Sequence, residues 1–315
     1  MSTGPICASN GIMEALVALR NLIQRRMGSE GTGFTATAIP ALKVARYKFA
    51  TELIDDVCEP LIIVVAQGEK RCLLGKRGFS YGAGQYFVAS VELPIRSHVV
   101  SASEEKPFLA VMLNLKPTVI AALVLETGAT ASSPVELSGM AVSDAPANLL
   151  EAIVRLLRLL EQPKDIPVLL PGVEREILWR LLNGDQGALV RQIGFADCRL
   201  TKISHAIRAI RARYAQSLRV EDLAERASMS LSTFHRHFRA VTAMTPIQYQ
   251  KLVRLQEARA RLMAKAGDVA SVGFAVGYDS PSQFSREYTR LFGAPPGRDA
   301  ARLRTVLRPE SAGES

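Results

Sequence analysis

No stretch of the sequence is long and apolar enough to cross a membrane, because no run of eighteen or more apolar residues occurs. The first residues, MSTGPICASNGIMEAL, lack the basic start and apolar core of a secretory signal. Cysteine is scarce, and Cys7, Cys58, Cys72 and Cys198 show no CxxC spacing of a zinc site. A chain of 315 residues can bury enough apolar surface to fold without disulfides. These absences predict a reducing, cytoplasmic protein with no membrane partner.

Histidine is also scarce, with four residues in the chain. His205, His235 and His237 fall in the last third, which leaves only His98 in the part that is rich in strand signals. Barrel enzymes that use a metal hold it through two or three histidines, a set that one histidine cannot complete. GAGQ at 82–85 lacks the strand–helix context of a nucleotide-binding loop, and no nucleophile elbow occurs. We therefore predict no enzyme, no metal and no cofactor, with a barrel metalloenzyme as the less favoured alternative.

Acidic residues are few in the last third of the chain. From residue 199 onward there are 20 Lys and Arg against 10 Asp and Glu, which is a net charge of +10. Residues 1–198 hold 19 and 20, a net charge of −1. A neutral part joined to a basic part indicates that the basic part binds phosphate groups. The alternative is a basic protein without a polyanion partner, which the uneven distribution of charge disfavours.

The stretch VEDLAERASMSLSTFHRHFR, residues 220–239, predicts two short helices joined by a tight turn. Its apolar positions are Leu223, Ala227, Met229 and Phe234, with the small Ala224 where two helices cross. Ser230 can cap the second helix, because its hydroxyl can accept from the free N–H groups of the first turn. The outward side chains of the second helix all donate hydrogen bonds, and none is acidic: Ser232, Thr233, His235, Arg236 and Arg239. Such a helix-turn-helix is suited to the major groove of DNA.

A second copy of this motif, VASVGFAVGYDSPSQFSREYTRLFG, occupies residues 269–293. The matched pairs are Leu223 with Val272, Ala224 with Gly273, Ala227 with Val276, Phe234 with Phe284, and Phe238 with Tyr288. The second copy has one more residue in its turn, and its outward face offers Ser282, Gln283, Ser285 and Arg286. One such segment is compatible with an ordinary helical hairpin, but internal duplication makes that alternative much weaker.

The part before residue 115 is rich in strand signals. An amphipathic helix is predicted over residues 10–27, and short apolar or alternating runs with Gly and Pro punctuation follow it. The predicted strands are 41–47, 61–66, 71–74, 85–90, 96–101 and 108–114, with 135–142 as one more. Many short strands at close spacing predict a small sandwich or barrel.

Helices dominate the rest of the chain. Residues 147–162 carry a broad apolar stripe, which is compatible both with a dimer helix and with packing on the barrel of the same chain. Helices over 172–183 and 185–193 form a connector, after a partial break at 161–171, and another helix spans 201–216. A helix from Pro246 to about residue 265 would hold the two motifs apart, since successive major-groove faces repeat about every 34 Å.

Residues 199–300 resemble the DNA-binding domain of the AraC/XylS transcriptional regulators. The segments that carry the resemblance are DLAERASMSLSTFHRHFRAVTAMTPIQYQKLVRLQEARARLM and VGYDSPSQFSREYTRLFGAPP. The first part resembles the N-terminal domain of AraC-type regulators, in EPLIIVVAQGEK, SYGAGQYFVASVELPIRSHVVSASEEKPFLAV and GVEREILWRLLNG. The resemblance implies an α+β protein: a cupin-like β-barrel with flanking helices, then an all-α domain of two helix-turn-helix motifs joined by a linker helix. The implied domains are 1–165 for regulation or dimerisation, 166–198 as helical connector, 199–303 for DNA binding, and 304–315 as flexible tail.

The resemblance also implies partners and site residues. Base contacts are expected from Ser232, Thr233, His235, Arg236, Ser282, Gln283, Ser285 and Arg286, although the family often has a bulkier residue at the position of Ser232. Phosphate contacts are expected from Ser230, Arg239, Lys251, Arg254, Ser280 and Arg290. Gly273 replaces the usual Ala, which meets the need for close packing but weakens that helix by about 0.5–1 kcal/mol. The implied partners are promoter DNA, RNA polymerase, a small-molecule effector and a second copy of the chain. Activation is the expected sign of regulation, with repression as the alternative.

Cys58 and Cys72 both lie beside predicted strands. A thiol there could sense oxidants or aldehydes if Lys70, Arg71 or Lys76 lowered its pKa. A buried structural cysteine is the commoner alternative.

Overall fold

The computed structural model describes residues 5–28, 31–127, 139–194, 199–264 and 268–307. They divide into two compact units. The first contains Met1–Ser204 and His237–Ala243, and the second contains His205–Arg236 and Met244–Ser315. None of the helices in the described ranges is long and apolar enough to cross a membrane.

The first unit is built on two sheets whose described strand pairs are all antiparallel. The strands are β1 (Gly33–Ala36), β2 (Leu42–Tyr47), β3 (Ile54–Cys58), β4 (Leu61–Gln67), β5 (Glu69–Leu74), β6 (Arg77–Gly82), β7 (Gln85–Ala89), β8 (Leu93–Ser101), β9 (Phe108–Asn114) and β10 (Met140–Asp144). The larger sheet has the order β1-β2-β9-β4-β7-β10, and the smaller has the order β3-β8-β5-β6. The predicted α+β class is confirmed, because the strands lie between residues 33 and 144 and the described elements after β10 are helices.

The sequence patterns predicted the inner strands and missed three of the four edge strands. Strands β2, β4, β5, β7, β8 and β9 lie within three residues of their predicted bounds. The prediction for 135–142 overlaps β10, and residues 135–138 lie outside the described residues. Strands β1, β3 and β6 were not predicted, and each lies at an edge of its sheet. Edge strands have a solvent-facing side and need less apolar surface, so their sequences carry a weaker signal.

The predicted first helix is confirmed as α1 (Pro5–Met27), which begins five residues earlier than expected. Its side chains Leu16, Leu19, Ile23 and Met27 are buried, as the amphipathic pattern predicted. The helix packs against β2, β4 and β9 of the larger sheet, so its apolar face closes one side of the core.

The apolar stripe after residue 147 forms α3 (Ala147–Arg158) and a following 3₁₀ turn, Leu159–Glu161. Leu149, Ile153, Leu156 and Leu157 are almost fully buried within the first unit, where α3 packs against α1 and α4 (Ile166–Leu182). Packing inside one chain therefore accounts for the stripe, and a dimer helix is not needed to explain it.

A partial break in the helices was predicted at residues 161–171, but the prolines there interrupt the helical structure less than expected. A 3₁₀ turn covers Pro163–Asp165, and α4 then begins at Ile166 rather than at residue 172. Pro167 lies in the first turn, where no N–H donor is required, and Pro171 removes only one hydrogen bond inside the helix. The remaining helices of this part are α2 (Pro117–Thr127) and α5 (Gly187–Gly194).

The last third is all helical in the described residues. Its helices are α6 (Arg199–Ala212), α7 (Val220–Arg226), α8 (Leu231–Thr242), α9 (Pro246–Ala264), α10 (Val269–Ala275), α11 (Pro281–Phe292) and α12 (Pro296–Leu307). Helix α12 was not predicted, and its last four residues belong to the segment that was expected to be a flexible tail. Residues 308–315 lie outside the described residues.

Candidate nucleic-acid interface

Helices α7 and α8 form one helix-turn-helix motif and α10 and α11 form the second, as predicted. Both turns begin with the same hydrogen-bonded structure. After α7 the N–H of Ser228 bonds the carbonyl of Glu225 at 2.8 Å, and the N–H of Met229 bonds that of Ala224 at 3.0 Å. After α10 the N–H of Gly277 bonds Phe274 and that of Tyr278 bonds Gly273, both at 3.0 Å. This Schellman motif fixes the direction in which the chain leaves each first helix.

The residue that reverses the chain in each turn has a positive φ. Ser228 has φ 54° and Gly277 has φ 94°. A residue other than glycine in this region costs about 1–2 kcal/mol, because its Cβ approaches the carbonyl oxygen that follows. The first turn therefore carries backbone strain that glycine relieves in the second. The predicted extra residue of the second turn is confirmed, since α8 starts three residues after Ser228 and α11 starts four after Gly277.

Both second helices begin at a serine cap, as predicted for Ser230. The hydroxyl of Ser230 accepts from the N–H of Thr233, and that of Ser280 accepts from the N–H of Gln283, each at 3.4 Å. Ser230 also donates to the hydroxyl of Thr233 at 2.9 Å. The hydroxyls that were expected to contact phosphates thus orient the starts of α8 and α11, where free N–H groups favour anions.

Gly273 has the packing role that its position predicted. A Cβ at this residue would lie 3.0 Å from the ring of Phe284, closer than side chains normally approach. Phe284 is fully buried in a cluster with Val276, Tyr278 and Tyr288, which is the core of the second motif. Glycine therefore lets α10 approach α11 more closely than alanine would.

The outward face of α8 is as polar as predicted. Ser232, Arg236 and Arg239 are exposed, whereas Thr233 and His235 are half-buried. Phe234 and Phe238 are fully buried on the opposite side of the helix. All the side chains predicted to contact DNA from α8 thus have some access to solvent.

The outward face of α11 contains an acidic residue that the sequence interpretation missed. Ser282, Arg286 and Arg290 are exposed and Gln283 and Ser285 are half-buried. A shallow pocket of about 290 Å³ is lined by Gln283, Arg286, Glu287 and Arg290. Glu287 follows Gln283 by four residues, a spacing that places both on one helix face and could have indicated it.

Glu287 is the centre of a hydrogen-bonded group. It accepts from Lys251 at 2.7 Å, from the hydroxyl of Tyr278 at 2.9 Å and from the side-chain amide of Gln283 at 3.3 Å. Burial acts to raise the pKa of Glu287, but the hydrogen bonds from Lys251, Tyr278 and Gln283 hold that pKa below its ordinary value. Burial and the hydrogen bond to Glu287 raise the pKa of Tyr278. Lys251, which was expected to bind phosphate, is therefore paired with Glu287 in this structure.

Arg254, which was also expected to bind phosphate, has protein partners in this structure. It donates to the carbonyls of Tyr214 and Gly277 at 2.7 Å each, to that of Gln216 at 2.9 Å and to that of Ala215 at 3.3 Å. Burial is the largest cause of the lowered pKa of Arg254. The side chain ties the turn after α6 to the turn of the second motif, and its contact with phosphate stays a prediction.

Asp299 on α12 completes the core of the second motif. It is fully buried and accepts from Arg259 at 2.8 Å, from the hydroxyl of Tyr288 at 3.0 Å and from Arg302 at 3.2 Å. Burial acts to raise the pKa of Asp299, but the hydrogen bond and charge of Arg259, with the other two donors, hold that pKa below its ordinary value. A buried carboxylate with three donors fixes α9, α11 and α12 together.

The two cysteines of the first unit do not meet the condition for a reactive thiol. Cys58 is 3% exposed and Cys72 is fully buried. Burial raises the pKa of Cys72 to about 12, and burial also raises the pKa of Cys58 well above its ordinary value. Lys70 acts to lower both pKa values, but burial outweighs it. Both residues thus fit the commoner alternative, a buried structural cysteine, in this structure.

Two family models match the chain. One, described as the AraC-type transcriptional regulator N-terminus, matches residues 38–189. The other, described as a helix-turn-helix domain, matches residues 223–302.

Two of the curated proteins with related sequences are named as transcriptional activators. The chain is 30% identical over 167 residues to the HTH-type transcriptional activator RhaS of Escherichia fergusonii. The matched region covers 48% of this chain and 56% of that protein. It is 32% identical over 135 residues to the RCS-specific HTH-type transcriptional activator RclR of Escherichia coli, covering 43% and 42% of the two chains. The matches thus span about half the length of these relatives.

A crystal structure of apo ToxT from Vibrio cholerae has a similar fold. It matches with a TM-score of 0.52 and 10% sequence identity, over 84% of this chain and 99% of that chain. At this identity the likeness concerns the fold alone. It extends across the strand-rich and the helical parts, as the two family models do.

Proposed function

This chain belongs to the AraC-type family of transcriptional regulators, and we propose that it binds specific sites in double-stranded DNA through α8 and α11. The observation that carries the proposal is the duplicated helix-turn-helix, in which both second helices present donor side chains to solvent. In this motif the second helix enters the major groove, where base edges present distinct patterns of donors and acceptors.

Within this interface, Arg236 and Arg286 are our candidates for bidentate contacts with guanine. Both are exposed and stand at equivalent positions of α8 and α11. Ser232, Thr233 and His235 on α8, and Ser282, Gln283 and Ser285 on α11, would supply the remaining base contacts. Each good bidentate contact contributes about 1–3 kcal/mol of discrimination against a wrong base.

Phosphate contacts would come from the edges of the same surface. Arg239 and Arg290 are exposed cations on α8 and α11, and Ser230 and Ser280 stand at the N-termini of these helices. Such contacts set the register on the duplex and add affinity that does not depend on sequence. Lys251 and Arg254 have protein partners, so we propose that they support these helices, and their contact with phosphate stays a prediction.

The first unit would carry the regulatory part of the function. We propose that it receives a small-molecule signal, pairs with a second copy of the chain, or does both, and that the regulator activates transcription together with RNA polymerase. The activators RhaS and RclR among the related proteins support this sign of regulation. We propose no enzymatic activity, and the cytoplasm as the compartment, because a regulator must reach the chromosome.

A footprint of the purified full chain on the DNA that flanks its own gene, at near-physiological salt, tests the proposal. We expect a discrete protected site of about two helical turns, because two recognition helices read successive major-groove faces. Competition with random duplex DNA measures the ratio of specific to non-specific affinity. If protection is diffuse and disappears with salt, both on the DNA that flanks the gene and on a randomised duplex library, the protein is a non-specific architectural protein instead.

A further inference from the structure

The second recognition helix carries a carboxylate on the face that we assign to DNA. Glu287 is the one acidic residue among the twelve of α11. With Gln283, Arg286 and Arg290 it lines the polar pocket of about 290 Å³ on that face. An acidic side chain there repels the phosphates of DNA, so it lowers affinity unless its charge is offset.

Lys251 of α9 offsets this charge. Its ammonium donates to Oε1 of Glu287 at 2.7 Å, so the ion pair as a whole is neutral. The hydroxyl of Tyr278, in the turn before α11, donates to Oε2 at 2.9 Å. Tyr278 is 5% exposed, and its ring centre lies 5.4 Å from that of Phe284. The carboxylate is therefore held both from α9 and from a buried residue of the turn.

Gln283 donates to the same carboxylate. Its side-chain nitrogen Nε2 lies 3.3 Å from Oε1 of Glu287, one helical turn further along α11. This is the longest of the three hydrogen bonds, so the carboxylate is the fixed partner and the amide is the group that it orients. Burial acts to raise the pKa of Glu287, but the three hydrogen bonds hold that pKa below its ordinary value, so the carboxylate is ionised.

An ionised carboxylate determines which end of the Gln283 amide faces it. Without a proton, Glu287 cannot donate to the carbonyl oxygen of the amide, so the nitrogen end must face it. One of the two N–H groups on Nε2 is then occupied. One N–H group and the carbonyl oxygen remain available to DNA.

Gln283 lies in the part of α11 that reaches base edges. It is the third residue of the helix, and the N-terminal residues of a recognition helix contact bases in the major groove. Its backbone N–H donates to the hydroxyl of Ser280 at 3.4 Å, which fixes this first turn. The side chain is half-buried and borders the polar pocket, so the oriented amide is open to a base edge.

The remaining donor and acceptor of Gln283 match adenine among the four bases. Adenine presents the acceptor N7 and the donor N6 in the major groove, and one N–H group with one carbonyl oxygen satisfies both. Guanine presents two acceptors, N7 and O6, so the carbonyl oxygen of the amide would face O6 without a hydrogen between them. Cytosine offers only a donor, and thymine offers only an acceptor beside its methyl group.

The first motif lacks this arrangement. When the buried phenylalanines of α8 and α11 are matched, Thr233 takes the position of Gln283 and His237 takes that of Glu287. Threonine has no amide to orient, and His237 is only 7% exposed. A helix-turn-helix of this chain thus forms without an acidic residue at this position, so the motif alone does not account for Glu287.

We propose that Glu287 is a positioning residue for base recognition, which orients the amide of Gln283 so that Gln283 selects adenine at one position of the DNA site. The inference rests on the proposed function, because it names a base that α11 reads and the residue that enforces the choice. Lys251 neutralises the carboxylate and so allows it to remain next to DNA.

Selection of duplex DNA by the full chain tests the inference. A library with a randomised segment of about two helical turns is selected with the wild type, and the base pair whose preference disappears in Gln283→Ala is the one that Gln283 reads. We expect adenine there, with guanine bound at least about tenfold more weakly. Replacing this adenine by 7-deazaadenine, which lacks the N7 acceptor, should weaken binding by at least about threefold in the wild type and leave Gln283→Ala unchanged.

The variant Glu287→Met keeps the length of the side chain and removes the acceptor. We expect it to lower the ratio of adenine to guanine affinity at this position by at least about threefold, because the amide can then turn over. Lys251→Met is the matched control, since it breaks the same ion pair but leaves the carboxylate beside Gln283, and it should change the ratio by less than about twofold. Preferences that depend on Arg236 of α8 should stay the same in both variants.

Several results would overturn the inference. They are a base other than adenine at this position, no position that depends on Gln283, and equal losses of preference in Glu287→Met and Lys251→Met. An effect of Glu287→Met on the ratio that persists in a Gln283→Ala background would show that Glu287 does not act through Gln283.

The comparison of adenine with 7-deazaadenine uses the wild type alone, so equal binding of these two duplexes overturns the inference even if Glu287→Met does not fold. A chain that binds every duplex alike would overturn the proposed function as well. Specific binding without the expected adenine preference would overturn the inference alone, so the two failures are told apart.

Discussion

The ammonium nitrogen of Lys251 on α9 lies 2.7 Å from a carboxylate oxygen of Glu287 on α11. The same carboxylate accepts from Gln283, so one acidic side chain holds both an interhelical cation and a candidate base-reading amide. The pair of Lys251 and Glu287 thereby holds α11, the second recognition helix, against α9. Pre-organisation of this kind lowers the entropy lost on binding DNA.

We expect the free energy of unfolding to fall less between neutral and acid pH in Glu287→Gln than in the wild type. Because the pKa of Glu287 is lowered in the folded chain, its contribution is present above the ordinary carboxyl range and is lost as pH falls through the lowered pKa. At neutral pH the variant should lose about 1–2 kcal/mol, since a hydrogen-bonded charge is replaced by a neutral amide. Urea unfolding at about pH 7 and about pH 3 measures both effects.

Glu225→Gln, at an exposed residue of α7, is the control for removing one negative charge. A stability difference between wild type and Glu287→Gln that stays constant from neutral to acid pH would show that Glu287 is not stabilised as an anion.

The local part of the candidate interface could be predicted from sequence because short-range patterns encode it. The serine caps Ser230 and Ser280 each accept from an N–H three residues along the chain, and the buried aromatics Phe234 and Phe284 lie on the apolar faces of α8 and α11. Helix periodicity and capping chemistry act over that distance, so these residues were recognisable without a structure.

The contacts that hold the helices together could not be predicted in this way. Arg254 reaches carbonyls 23 to 40 residues away, and Lys251 reaches a carboxylate 36 residues away. Both side chains are cations on a basic helix, and nothing in the local pattern distinguishes an internal partner from a phosphate. The edge strands β1, β3 and β6 were missed because solvent on one side leaves their sequences less apolar.

We expect Gly277→Ala to destabilise the second motif by at least about 2 kcal/mol, since φ is 94° and a Cβ would lie 2.2 Å from the carbonyl oxygen of Ala215. Gly293→Ala is the matched control, because Gly293 also has a positive φ, 78°, but a Cβ there meets no atom within 4 Å. It should cost only about 1 kcal/mol of backbone strain. Chemical unfolding of both variants measures the difference, and equal destabilisation would mean that the approach to Ala215 is not tight.

We expect Cys58 and Cys72 to react slowly with a thiol reagent such as DTNB in the native chain, because both are buried and their pKa values are raised. A Cys7→Ser, Cys198→Ser background isolates the two thiols, and the same protein in guanidinium chloride gives the fast reference rate. Rapid reaction of the native protein, or an electrophile response that disappears in Cys58→Ser or Cys72→Ser, would instead support thiol sensing.

Variants at Arg236 and Arg239 distinguish base reading from phosphate binding. Both side chains are exposed on α8 and lie three residues apart, but they have different proposed roles. We expect Arg236→Ala to lose about 1–3 kcal/mol on the preferred site and much less on a site changed at one base pair, since the lost contact is specific. Arg239→Ala should weaken binding to both sites equally and reduce the salt slope by about 1. Lys251→Ala is a poorer phosphate control, because it also breaks the pair with Glu287. Affinities for the protected site and its single-base variants, at two salt concentrations, measure both effects, and an equal loss on every sequence for Arg236→Ala would refute its base-reading role.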